Sequence, residues 1–474
     1  MDDPRLFCVG GRWKSSPLIS DVISPYTGTT VASVCLGSAD DLRDGAQAAA
    51  GAFETTRRLP LHTRRKILYA IAARLEERRE ELMATLIAEG GKVRKVADGE
   101  VTRAIETITI SAEEAGRVDG TILPLDRTPA GAGHTGYLTR VPAGPVLAIT
   151  PFNYPLNLAC HKIGPAIAIG APFLLKPATA TPLSSLILAE IIIAAGYPPE
   201  AVSVIPAPGA VADEIIPDDS FGYLSFTGSP DVGWAIKNRA GRKAVGLELG
   251  GNAAVIVCPD SDPDYAAMRI VAGGFANAGQ NCVSVQRVLI HRSIYSGMEE
   301  KILGYIRLLK VGDPADPTTD IGPMISIEAA SRAEALIRSA VDSGARLVCG
   351  GRREGALLYP TMLADLGLSQ DLSCRELFAP VILLHPFDEV DEAIKIADTS
   401  DYGLQAGIFT DSLETVRKAF GRIDVGALLV NDIPTFRVDE MPYGGVKGSG
   451  IGREGPASAI REMTVEKMLI INER

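Results

Sequence analysis

The sequence has no CxxC pair and no Cys/His spacing of a metal site. Its seven cysteines, Cys8, Cys35, Cys160, Cys258, Cys282, Cys349 and Cys374, are scattered and odd in number. Both facts argue against a disulfide framework and against a structural zinc centre. There is no basic run: Lys plus Arg is 47 against 58 for Asp plus Glu, a net charge of −11. An acidic surface of this kind argues against nucleic acid as the main partner. No repeat of a solenoid or collagen period is present, and no coiled-coil or mucin-like bias. Long apolar runs are missing too. The most apolar stretch, 183–195, is interrupted by Ser184, Ser185 and Glu190 and is too short and polar to span a bilayer. The opening residues turn acidic at once and do not read as a signal peptide. The expected compartment is therefore a reducing cytoplasm, with no metal and no membrane partner.

What is present is an ordinary globular composition, 46% hydrophobic and 22% charged over 474 residues, long enough for about three domains or lobes. Residues 40–90 read as helices: Ile67, Leu68, Ile71, Leu75, Leu82 and Leu86 recur at helical spacing until Gly90 and Gly91 stop the run. A second helix is predicted over 99–116. Segment 117–143 is Gly- and Pro-rich, with two short strands around 121–125 and 136–141. From 145 onward short apolar strands alternate with helices: 145–150, 173–176, 202–205, 223–226 and 244–249. A second series follows at 253–257, 287–291, 381–386, 406–409 and 427–430, and the tail 464–471 looks like one more strand. Buried strands separated by helices indicate parallel sheets covered on both faces. The expected fold class is α/β, two parallel-sheet lobes plus a small sheet joining the 117–143 hairpin to the tail.

A few residues stand out chemically. The strand 223–226 runs into Thr227, Gly228, Ser229 and Pro230 and then a helix. Gly228 permits a tight turn, Ser229 can cap the helix, and the helix N-terminus is suited to a pyrophosphate. The usual GxGxxG fingerprint is absent from this segment, and an ordinary strand-to-helix turn reads equally well from it alone. Cys282 sits among small and polar residues, where a reactive thiol needs partial exposure; an inert core cysteine is the plainer reading. Glu248 ends an apolar strand before Gly250 and Gly251, where burial would raise its pKa and suit it to general-base work. A carboxylate held by turn amides is the alternative. Asn153, just after a strand, could donate to an oxyanion or simply close a turn.

Taken together, the segments PFNYP (151–155), LKPA (175–178), FTGS (226–229), LELGGN (247–252), GQNC (279–282), ELFAP (376–380) and PYGGVKGSGIGRE (442–454) resemble, in order, those of the aldehyde dehydrogenase superfamily. The branch containing lactaldehyde and non-phosphorylating glyceraldehyde-3-phosphate dehydrogenases is the most similar in feel. The resemblance implies a Rossmann-like cofactor-binding domain from 1–116 and 144–249, a catalytic domain from 250–440, and an oligomerisation arm from 117–143 and 455–474, hence a homodimer or homotetramer. It implies Cys282 as nucleophile, Glu248 as general base and Asn153 as oxyanion donor. Around the cofactor it implies Thr150, Pro151, Phe152, Lys176, Thr179, Gly209, Gly228, Ser229, Leu249, Glu376 and Phe378. Many NAD-preferring members carry a glutamate where this sequence has Thr179. A hydroxyl there, beside Lys176, favours NADP, with NAD possible. Arg103, His161 and Arg437 are the candidates for the substrate's polar end. The family's glyceraldehyde-3-phosphate enzymes carry an arginine just before the nucleophile, whereas this sequence has Asn281. The expected reaction is therefore NAD(P)-dependent oxidation of a small hydroxy- or acid-bearing aldehyde, such as lactaldehyde, glycolaldehyde or a semialdehyde. It would pass through a thiohemiacetal and a thioester on Cys282. A coenzyme-A-acylating enzyme is the runner-up, disfavoured by the presence of Glu248, and a retired enzyme kept as a binding protein comes last.

Overall fold

The computed structural model describes residues 3–118, 120–368 and 370–473. Both predicted strand–helix series form, each as its own sheet. The first has eight strands in the order Arg12–Lys14, Phe7–Val9, Val202–Val204, Phe173–Lys176, Val146–Ile149, Tyr223–Thr227, Ala244–Glu248 and Gly450–Ile451. The five central strands are parallel. The edges are antiparallel: Phe7–Val9 pairs with the 202 strand, and Gly450–Ile451 with the 244 strand. The second sheet has seven strands, Arg346–Cys349, Thr361–Ala364, Val381–Phe387, Val285–His291, Ala253–Val257, Gln405–Phe409 and Ala427–Val430, parallel except for the first. Thr464–Asn472, His134–Pro142 and Thr121–Pro124 make the small antiparallel sheet.

The central strands are almost wholly apolar because both faces are covered, as parallel sheets require. Chain order also fixes where a crevice must open. After Val146–Ile149 the chain builds outward on one side, through the 173 and 202 strands. It then returns to lay Tyr223–Thr227 on the other side. At such a switch point the loops leaving the two strands diverge, and a ligand can enter beyond the strand ends. Residues 150–153 and 228–229 are those loops.

The helical region 40–90 resolves into Ala39–Thr56, Leu61–Glu77 and Arg79–Gly90, with Pro60 breaking the first junction. The next helix starts earlier than predicted, at Arg94, and runs to Glu114. It packs against Pro155–Ile169, every residue of which is buried. The short helix Pro456–Glu462 also packs on these two helices, so the 455–463 part of the tail contributes to the first lobe's core. Among the described residues, no helix is long and apolar enough to cross a membrane.

Candidate active site

A cavity of about 290 Å³ lies at that switch point, lined from both lobes. Pro151, Phe152, Asn153, Gly228, Ser229 and Glu248 come from the first lobe. Cys282, Glu376, Phe378, Arg437 and Tyr443 come from later in the chain, and Arg103 reaches in from its helix. Among the described residues, no group of three or more His, Cys, Asp or Glu side chains could hold a metal ion.

Cys282 is half-buried in an irregular loop that follows helix Pro263–Phe275. Asn277 and Ala278 both adopt left-handed backbone conformations there, with φ of 51° and 54°. Such strain persists only where the surroundings over-determine the loop. Here Gln280 does so: its Oε1 accepts from Ile325 N, and its carbonyl accepts from Asn153 Nδ2 at 3.1 Å. The Cys282 thiol is pushed up to about 12, chiefly by burial. Its Sγ lies 3.0 Å from Tyr443 Oη and 3.8 Å from Asn281 Oδ1.

Asn153 stands on a rigid support. Its carbonyl accepts from the buried Lys92 ammonium and from Asn277 Nδ2. Lys92 also pairs with Glu100 at 3.0 Å and lies 3.8 Å from the centre of the Tyr154 ring. The other Glu100 oxygen accepts from Leu156 N and Asn157 N, closing the first turn of helix Pro155–Ile169. One Asn153 amide proton reaches Gln280, leaving the second donor of the carboxamide for another acceptor.

Glu248 ends its strand almost fully buried, with one oxygen, Oε2, lacking any hydrogen-bond partner among the described residues. Burial, reinforced by the charge on Glu454, pushes its carboxyl well above the usual range. The two glycines that follow are needed for close approach. A Cβ on Gly250 would meet the Glu376 carboxylate at 2.3 Å, and one on Gly251 the Cys282 carbonyl at 2.3 Å. Glu376 Oε1 accepts from Gly251 N at 3.0 Å, and burial raises the Glu376 pKa to about 7. Phe378, also left-handed in its backbone, stacks edge-on with Phe152 at 5.8 Å.

The far wall is a network of charges. Arg103 donates to Asp439 from Nε and Nη2, at 3.1 and 2.6 Å. Asp439 is 2% exposed, and it also lies 2.7 Å from His161 Nε2. Burial opposes its ionisation, but the hydrogen bonds from His161 and Arg103 hold its carboxyl far below the usual range. Arg437 Nη2 touches Glu454 and His161 Nε2, each at 3.2 Å, and its guanidinium stacks 3.7 Å above the Tyr443 ring. Lys162 completes the set, bound to Glu454, Ser225 and Thr227. Yet donors remain. Among the described residues Arg437 Nε is buried without a partner, and no hydrogen bond is found for Arg103 Nη1.

With a thiol, a buried carboxyl and a side-chain amide around one cavity at a sheet's switch point, the family comparison agrees. The aldehyde dehydrogenase family model matches residues 13–469. This chain belongs to the aldehyde dehydrogenase family. A 3-sulfolactaldehyde dehydrogenase from Priestia aryabhattai is 41% identical over 465 residues, 98% of this chain and 97% of that protein. The crystal structure of aldehyde dehydrogenase 21 from Physcomitrella patens, in complex with the reaction product succinate, matches with a TM-score of 0.97 at 39% identity. The match covers 100% of this chain and 99% of that one. A glyceraldehyde-3-phosphate dehydrogenase from Methanocaldococcus jannaschii, complexed with NADP, gives 0.92 at 37%, covering 95% and 98%.

In this aldehyde dehydrogenase the predicted site residues divide into groups. Cys282, Glu248, Asn153, Pro151, Phe152, Gly228, Ser229, Leu249, Glu376, Phe378, Arg103 and Arg437 all line the cavity. Thr150 is buried beside it, its hydroxyl unpartnered. Ser229 is the N-cap residue of helix Pro230–Arg239, but its hydroxyl makes no capping bond, contrary to expectation. Lys176, Thr179 and Gly209 do not line this cavity. Lys176 ends its strand, Thr179 is exposed on the next turn, and Gly209 is exposed at the start of helix Gly209–Ala212. Thr179 does not cap the following helix, whose N-cap is Pro182. His161 is not among the residues that line the cavity. It is 1% exposed, with Nε2 against Asp439 Oδ1 and Arg437 Nη2. Sequence reasoning gave no role to Tyr443, Asp439, Glu454, Lys162, Lys92 or Glu100. A lysine in the mostly apolar helix Pro155–Ile169 was a legible signal.

Proposed function

We propose that this chain oxidises a small aldehyde bearing an anionic or hydroxylated end to its carboxylic acid, with NADP preferred over NAD. The observation that carries the reading is the juxtaposition of Cys282 with two arginines, Arg103 and Arg437, that line the same cavity and among the described residues keep donors with no hydrogen bond. Planar guanidinium groups suit carboxylate, sulfonate or phosphate. The relatives fit an acid-bearing aldehyde, since one is named for 3-sulfolactaldehyde and another was solved with succinate. Asn281 in place of an arginine before the nucleophile leaves a carboxylate or sulfonate better matched than a phosphate.

Bound NADP would supply the acceptor for the substrate's hydride. Several features of the chain fit it. Helix Pro230–Arg239 turns a free N-terminus toward Gly228 and Ser229, suited to a pyrophosphate. A Cβ on Gly228 would meet the Phe226 ring at 2.5 Å, so that turn is restricted to glycine. Lys176 has no ion-pair partner among the described residues, and burial lowers its pKa to about 8. A poorly solvated, unpaired ammonium three residues before a threonine suits a 2′-phosphate, whereas an acidic side chain at Thr179 would repel one. The relative from M. jannaschii was solved with NADP.

The steps follow from where charge develops. The Cys282 thiolate adds to the aldehyde carbonyl, and the new alkoxide accepts from the free Asn153 amide proton and a backbone N–H. Each such donor contributes roughly 3–4 kcal/mol. Collapse of this adduct with loss of hydride leaves a thioester on Cys282. Glu248 then removes a proton from water, and the hydroxide releases the acid. A carboxyl whose pKa is raised is a stronger base once ionised, which suits this step. The assembly would be a homodimer or homotetramer. Supporting this, Ile122, Val465, Leu469 and Ile470 are apolar and exposed on the small sheet.

Rapid mixing of Glu248→Gln with aldehyde and NADP tests the assignment of steps. A burst of reduced cofactor close to one per site, followed by a stalled steady state, is expected. Loss of the burst itself would show that Glu248 acts before the thioester.

A further inference from the structure

The thiol that has to ionise is set in surroundings that oppose ionisation. Burial pushes Cys282 up, and the carboxyls of Glu376 and Glu248 add to that; only Arg437 and the Tyr443 hydroxyl work the other way. Asn281 Oδ1 is an acceptor and can hold only the neutral S–H. Among the described residues, the one side-chain donor within reach of Sγ is Tyr443 Oη, at 3.0 Å.

Tyr443 is well fixed for this contact. Its backbone forms an antiparallel bridge with Glu454, N to O in both directions at 3.0 and 2.6 Å. Its ring is 3% exposed, packs with Val283 and Leu404, and is capped by the Arg437 guanidinium at 3.7 Å. None of these contacts uses the hydroxyl, and a phenylalanine would satisfy them all. We propose that Tyr443 is a further catalytic residue, its hydroxyl donating a hydrogen bond to the Cys282 thiolate and so supplying the stabilisation that the pocket otherwise withholds. On ionisation the S–H bond breaks and its proton passes to water in the cavity. The phenol O–H turns to donate to the sulfur and keeps its own proton. Burial, with the charges of Cys282 and Glu248, holds the phenol well above its usual range, so it remains a donor and is not itself the base. The Arg437 cation over the ring opposes that shift and sharpens the donor. The groups facing this pair are Glu248, Glu376, Arg437 and, through its ring hydroxyl, Tyr154. The same guanidinium lines the substrate wall, so the charge at the substrate's far end and the acidity of the thiol share one residue.

The proposal rests on Cys282 as nucleophile, but its first test, alkylation, needs neither aldehyde nor cofactor. Iodoacetamide alkylation of the Cys282 peptide, followed by mass spectrometry across pH, reads the thiolate directly. In Tyr443→Phe the midpoint should rise by about one pH unit, making alkylation below it roughly tenfold slower. kcat should fall while KM for the aldehyde stays near its original value. An unchanged midpoint, or faster alkylation in the phenylalanine variant, would overturn the proposal. If the phenylalanine variant folds poorly, 3-fluorotyrosine at position 443 keeps the shape and strengthens the donor, and the midpoint should move down. A shift upward or none would contradict the assignment. A protein with no Cys282-dependent oxidation, yet a tyrosine-dependent midpoint, would count against the catalytic reading of Cys282 and not against this contact.

Discussion

On the side of Cys282 that we assign to the substrate, the cavity wall is made of side chains already engaged with one another. Arg103 is held by Asp439, Asp439 by His161, and Arg437 by Glu454 and the Tyr443 ring. On the side we assign to the cofactor the wall is mostly backbone, the turn at Gly228 and Ser229 and a helix N-terminus; Lys176, outside the cavity lining, has no ion-pair partner among the described residues. The first wall is pre-organised, because buried charges that satisfy each other cannot reorient cheaply. The second waits for an anion to complete it. The difference suggests that discrimination among aldehydes comes from a rigid array of donors, whereas cofactor preference turns on one or two exposed positions. Substitutions should therefore cost most at the reacting atoms between the walls and least at the cofactor's outer edge.

The largest loss is expected at the divide itself. Cys282→Ser should lower kcat for aldehyde oxidation by roughly 10⁴ or more, while NADP binding measured by calorimetry stays close to that of the parent, because its contacts lie on the other wall. Normal turnover would remove Cys282 from the chemistry. Asn153→Ala comes next, with a fall in kcat of about 10²–10³ and little change in KM. A KM effect alone would mean that the amide positions the ground state only. Thr179→Glu should be the mildest, changing the NADP-to-NAD ratio of kcat/KM by about tenfold toward NAD, equivalent to about 1.4 kcal/mol. An unchanged ratio would detach cofactor preference from this turn.

The same contrast explains what could be read from the sequence. Backbone-built features lie in short contiguous segments, so the strands, the glycine turn and the residues on either side of Cys282 were legible. Arg103 and Arg437 were named, but the pairings of the side-chain wall were not, since Arg103 and Asp439 are 336 positions apart and His161 and Asp439 are 278 apart. His161 was a candidate for its place eight residues past Asn153, but position along the chain does not reveal what packs in front. The N-terminal strands Phe7–Val9, Arg12–Lys14, Ile19–Ile23 and Thr30–Cys35 escaped notice because they are short and their partners supply the pattern. Thr361–Ala364 is fully buried, yet with four residues it offers too little periodicity to distinguish it from a loop.

The account stands or falls on the substrate wall, and one differential measurement reaches it. kcat/KM is determined for succinic semialdehyde and for propanal, in the parent and in Arg103→Ala, with melting temperatures alongside. The parent should prefer the acid-bearing aldehyde. Loss of Arg103 should lower its kcat/KM by about thirtyfold, roughly 2 kcal/mol, mainly through KM, and leave propanal nearly unchanged. Equal losses for both aldehydes together with a lowered melting temperature would make Arg103 a structural partner of Asp439, and the anion-reading wall would have lost its main support.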